Sequence, residues 1–227
     1  MKISDADLFI YTGSEMELWS KSFAENVSSD CRVLDVSENI ELCGVSGHGH
    51  DHLNVDPHIW TSPVNAKTIV SAVCDAICEA DPENAQYYKT NADSYSEKLS
   101  QLDGDIRALS ATSDKKLYFG GEFSFLYFVN EYGFSYSSLY DSCSNHSEPT
   151  AKKIVDMIDE IKNDGASVIF YPELSTAKAA KSVADETGAK LLMLHSCHNL
   201  TEEEIASGED YISLMYKNVE NLKEALS

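Results

Sequence analysis

The sequence predicts an α/β protein with parallel sheets, and three observations predict it. Short apolar runs alternate with helical periodicity through most of the 227 residues, the grammar of βα units with helices on both sheet faces. Helices close on glycine just before the next apolar run, at Gly133, Gly165 and Gly188. One helix of about 27 residues, 83–109, breaks the alternation. At ~1.5 Å per residue it spans roughly 40 Å, enough to run the length of a domain and join two lobes.

Each element follows from its local pattern. Residues 7–13 form an apolar run ending in Gly13, a buried strand that the N-terminus enters directly, as though from the end of a preceding element. Residues 15–26 carry Leu18, Trp19, Phe23 and Ala24 at helical spacing, and residues 32–36 form a second strand. Residues 37–56 make a long loop, a length that marks functional or disordered segments. Ser62-Pro63 supplies a cap and a first-turn proline for a helix to Ala80. Asp81-Pro82 restarts the long helix. Strands at 116–119, 134–140, 167–171 and 190–194 then alternate with helices at 123–132, 150–163 and 175–187, and a helix at 210–226 closes the chain.

Charge narrows the function. With 38 acidic and 17 basic residues the net charge is −21, a surface that repels nucleic acid and anionic lipid and attracts cations. No apolar run approaches the ~20 residues of a membrane span, and the first residues lack the long apolar core of a signal peptide. The six cysteines form no C-x-x-C pair, which disfavours a thiolate zinc knuckle. Cys74 and Cys78 share a helix as buried thiols, and Cys143 and Cys197 lie in loops where an oxidising compartment would let them pair.

The chemistry concentrates in GHGHDHLNVDPHIWTS, residues 47–62, which holds four of the seven histidines: His48, His50, His52 and His58. Imidazole is the commonest side-chain ligand for zinc. Glycine and aspartate between the first three place them on a solvated loop, whereas apolar neighbours and a helix start set His58 apart. In open α/β sheets, ligands bind beyond the carboxyl ends of the strands. Three such ends carry Gly120-Gly121-Glu122, Pro172-Glu173 and His195-Ser196-Cys197-His198. Mixed nitrogen and oxygen donors suit zinc or manganese. Taken singly, each has a bland explanation. His58 beside an aromatic residue reads as a hydrogen-bonded structural histidine, Glu122 as a carboxylate at a helix N-terminus, and His195 as a surface residue. His48, His50 and His52 read as a polar loop.

Taken together the pieces carry a resemblance. "ADLFIYTGSEMELW", the His-rich loop, "DPHIWTSPVNAK", "DPENAQYY", "EYGF", "SEPTAKKI", "ETGAKLL" and a closing Y-x-x-L-M-x-x-N-x-x-x-L occur in that order. The chain resembles the zinc- and manganese-binding solute-binding proteins of metal ABC transporters over essentially its whole length. That resemblance implies two Rossmann-like lobes with parallel sheets joined by one long rigid helix, with metal in the cleft between them. Domains follow: an N-terminal metal-binding lobe at 1–82 with a His-rich loop at 44–56, a linking helix at 83–110, and a C-terminal α/β lobe at 111–227. It implies a metal site of His58, Glu122 and His195, with His48, His50 and His52 as an accessory loop. Glu122 stands where many members have a histidine, and His195 where many have an aspartate. Members normally begin with a signal peptide or lipobox and a strand-helix-strand that holds the first ligand histidine. The resemblance therefore implies an incomplete first lobe, an exposed sheet edge and weakened affinity. The expected cargo is Zn2+, then Mn2+. The expected partner is an ABC permease, the expected location the cell surface or periplasm, and the expected assembly a monomer.

Two other readings compete. H-G-H-D-H is similar to the H-x-H-x-D-H motif of the metallo-β-lactamase fold, but the spacing departs by one residue and no G-x-S-x-G or Ser-His-Asp pattern supports a hydrolase. A metal-free adhesin or structural module would keep the fold and lose the site.

Overall fold

The computed structural model describes residues 6–44, 55–140 and 148–227. The alternation predicts α/β, and the chain is α/β: six strands in two parallel sheets among eight α-helices within the described residues. His48, His50, His52, Cys143 and His146 lie outside the described residues. The chain divides into two compact units, residues 1–101 and 102–227. Their boundary falls inside α3 (Ala85–Ser110), the long helix, rather than at either end of it.

Unit 1 pairs β1 (Leu8–Tyr11) with β2 (Arg32–Asp35) in parallel, Leu8 opposite Arg32 through Tyr11 opposite Asp35. The connection holds α1 (Ser20–Ala24), much shorter than the helix predicted for 15–26. Its expected apolar face is largely outside: Leu18 is 82% exposed and Trp19 50%. Trp19 instead stacks edge-on with Phe23 and tilts against Phe9. Periodicity predicts a longer helix there, but among the described residues its apolar face stays largely exposed. Helix α2 (Pro63–Ala80) starts as predicted, with the Ser62 hydroxyl accepting from the Asn65 amide and Pro63 in the first turn. Ile59, Ala76 and Leu99 are buried.

Unit 2 holds the larger sheet, in the order β4-β3-β5-β6, with β3 (Leu117–Phe119), β4 (Tyr136–Ser138), β5 (Val168–Tyr171) and β6 (Lys190–Met193) all parallel. Both faces are buried, as an all-parallel sheet requires, and the period of two sorts the strand residues. Leu117, Phe119, Val168 and Phe170 join α4 (Leu126–Tyr132) and α8 (Tyr211–Leu226) in one core. Tyr118 and Ile169 join α5 (Ala151–Asp164) and α6 (Lys178–Thr187) in the other. A short helix, α7 (Glu202–Ser207), was not expected; Thr201 and Glu204 cap it reciprocally, a T-x-x-E signature that was there to be read. The helix predicted from Ser175 begins instead at Lys178, with Ala177 at its N-cap in a left-handed conformation and the Ser175 hydroxyl accepting from the Ala177 amide. Among the described residues no helix is long and apolar enough to cross a membrane.

Phe128 lies 1% exposed among the rings of Phe125, Tyr132 and Phe134. Phe128→Ala is expected to destabilise the fold by about 3–5 kcal/mol, measured by chemical unfolding followed by near-ultraviolet circular dichroism. A second expectation concerns acid. Tyr88 and Asn84 donate to the Asp81 carboxylate, Thr201 donates twice to Glu204, and Lys217 and Ser213 donate to Glu209. These bonds hold all three carboxyls below their usual range. Folded values below unfolded ones add stability above the unfolded value and lose it as pH falls through the folded one. The urea midpoint should therefore hold steady from pH 7 to 5 and drop below about pH 4.

Candidate metal centre

The first candidate ligand is built by a short turn before α2. Asp56 and His58 are both buried, His58 at 1% exposure. The His58 amide and its Nδ1 each stand 2.8 Å from Asp56 Oδ1. A carboxylate oxygen only accepts, so Nδ1 carries the proton and the neutral ring has its lone pair on Nε2. That is the carboxylate–histidine arrangement which fixes a metal-ligating imidazole. The Thr61 hydroxyl donates to the His58 carbonyl at 2.8 Å, and the Trp60 ring meets the imidazole edge-on at 5.4 Å. The carboxyl ends of β1 and β2 open on a cavity of ≈ 260 Å³ lined by Thr12, Gly13, Ser37 and Asp56 among others. The sequence singles out His58 as the ligand candidate, and Asp56 stands two residues before it. The D-x-H spacing was the signal for its orienting role.

Unit 2 places Glu122, Glu173 and His195 in the loops after β3, β5 and β6, hence at one end of its parallel sheet. Close packing fixes the first loop. A Cβ on Gly120 would come within 2.5 Å of Ala180 Cβ, and one on Gly121 within 2.3 Å of Pro172 Cδ. Glu122 itself is exposed, with its charge close enough to act on Tyr140, whose hydroxyl also donates to Glu148 at 3.4 Å.

His195 is not at the surface. It is 1% exposed, and Asn218 on α8 clamps its backbone from both sides, accepting from the His195 amide at 2.7 Å and donating to its carbonyl at 2.8 Å. This Asn is the one in the closing Y-x-x-L-M-x-x-N pattern. Nδ1 of His195 accepts from the Cys197 amide at 2.9 Å. The neutral ring therefore protonates Nε2, which faces Glu204 Oε1 at 3.4 Å without a well-formed hydrogen bond. The tautomer is opposite to that of His58. Glu173, its side chain 6% exposed, accepts from the Ser196 amide at 2.8 Å, the Ser196 hydroxyl at 2.5 Å and the His198 amide at 3.4 Å. These bonds hold a strained loop pair, for Leu174, Ala177 and Cys197 all have positive φ. Burial pushes the Cys197 thiol well up, so it stays protonated. Among the described residues no three His, Cys, Asp or Glu side chains sit close enough to share an ion.

Against this geometry the comparisons are consistent. Zinc-binding protein AdcA of Streptococcus pyogenes is 32% identical over 98% of this chain and 47% of its own length. The high-affinity zinc uptake system protein ZnuA of Bacillus subtilis is 32% identical over 99% of this chain and 73% of its own. The chain thus spans about half the length of the AdcA relatives it matches. Among solved structures, the metal-dependent lipoprotein YcdH from Bacillus subtilis superposes with a TM-score of 0.83 at 31% identity, covering 99% of this chain and 82% of that one. Residues 1–225 match the family described as zinc-uptake complex component A, periplasmic (ZnuA), and the chain belongs to that family.

Proposed function

We propose that this chain captures a divalent metal ion, zinc first and manganese second, outside the cytoplasmic membrane and hands it to an ABC permease. The single observation that carries the reading is the buried Asp56–His58 pair, in which a carboxylate holds and orients the imidazole through Nδ1 in the manner of a metal-ligating histidine. Family membership and the zinc-binding names of the relatives support the choice of ion. The acidic surface favours the approach of cations.

In this reading the candidate ligands are His58, through Nε2, in unit 1, and Glu122, through a carboxylate oxygen, and His195 in unit 2; among the described residues they do not stand preassembled as one group. His195 pays a toll that His58 does not: to offer its Nε2 lone pair it must give up the contact between Nδ1 and the Cys197 amide. His48, His50 and His52 gather the ion loosely on the loop before the turn. No step makes or breaks a covalent bond in a substrate; the protein binds and releases.

Isothermal titration with zinc tests the assignment. His58→Ala should abolish the tight site, and Asp56→Asn should weaken it about 10–100-fold by freeing the ring. Glu122→Gln should weaken it by a similar factor, and His195→Gln by less. Undiminished tight binding in His58→Ala would overturn the proposal. Binding requires unprotonated ligands and releases any proton they carry, so the affinity should fall on acidification. Zinc at 100 times its dissociation constant should raise stability by about 2.7 kcal/mol in thermal melts; equal melting with and without zinc would favour the metal-free module.

A further inference from the structure

Unit 1 carries a second set of metal-ligating side chains, away from the Asp56–His58 turn in sequence and element. Cys74 and Cys78 are four residues apart on α2, and residues so spaced share a helix face. Their sulfurs lie 3.9 Å apart, and Cys78 Sγ is 3.5 Å from the Ala85 carbonyl oxygen. Both are free thiols and half-buried rather than buried, so an ion from solvent can reach them. Two sulfurs bound to one tetrahedral ion at ~2.3 Å each stand about 3.8 Å apart. The pair already has that spacing.

The geometry points to Cys74 and Cys78 as a two-thiol clasp for a thiophilic divalent cation, zinc or its softer congener cadmium. Binding breaks two S–H bonds, releases both protons to water and forms two metal–sulfur bonds; the sulfurs keep their oxidation state. Exchanging two protons for a divalent ion leaves the local charge unchanged. A monovalent ion would leave an added negative charge near Asp75 and Asp93, whose charges already act on Cys74. With two protein donors, the remaining positions fall to water, which makes the site open and exchangeable rather than closed and structural.

Titration of the whole chain with cadmium(II), followed by the ultraviolet thiolate-to-metal band, tests this. One equivalent of thiolate-bound cadmium should disappear in Cys74→Ser and in Cys78→Ser, while His58→Ala keeps it. The tight zinc heat assigned to His58 should persist in both serine variants, which separates this site from the first and shows that the fold is intact. Cys74→Ala serves as a second variant should serine perturb the helix. A band of undiminished amplitude in the Cys74 and Cys78 variants would overturn the proposal, and so would finding the two joined as a disulfide in the purified protein.

Discussion

Parallel pairing is the constraint on which the arrangement rests. Parallel strands cannot be joined by a hairpin, so each pair needs a crossover, and every strand of a sheet ends at the same edge. In unit 2 this brings the loops after β3, β5 and β6 to one edge from segments about fifty and twenty residues apart in sequence. The sheet buys that convergence with burial on both faces, which is why Phe119 and Phe170 serve one core while Tyr118 and Ile169 serve the other. Unit 1 repeats the principle with two strands, and its cavity opens at the ends of both.

Two buried histidines show how a hydrogen-bond partner decides what an imidazole can do. His58 faces a carboxylate, which can only accept, and His195 faces an amide, which can only donate. A neutral ring in the first place carries its proton on Nδ1, and one in the second carries it on Nε2. Residue type alone does not carry this difference. It arises from which neighbour the backbone turns toward each Nδ1: Asp56 two residues before His58, and Cys197 two residues after His195.

Much of the fold was legible because it follows from local chemistry. The serine-proline start of α2, the glycine stops of α4, α5 and α6, and the apolar runs of β3, β5 and β6 each occupy the residues their patterns assign, within a residue or so. Where reading failed, a distant contact had decided the outcome. The 15–26 periodicity gave only a five-residue helix, and among the described residues Leu18 stays exposed and Trp19 packs only on Phe9 and Phe23. The bland alternative for His195, a surface position, is excluded by its burial, and Asn218, twenty-three residues on, bonds its backbone on both sides. Glu173 looks like a loop residue, and its role as acceptor for the 196–198 backbone depends on β5 and β6 lying side by side. The candidate ligands were therefore named from sequence, while the groups that orient them were largely not.

The glycine pair after β3 has a consequence for thermodynamics. With Ala180 against one α-carbon and Pro172 against the other, the strip of backbone leading to Glu122 has little room to rearrange. In the role proposed for Glu122, a main chain so confined would leave little backbone entropy to lose on association. The exposed Glu122 side chain keeps the freedom of its three rotatable bonds while the loop beneath it does not, so any adjustment to what it binds would fall to the side chain alone.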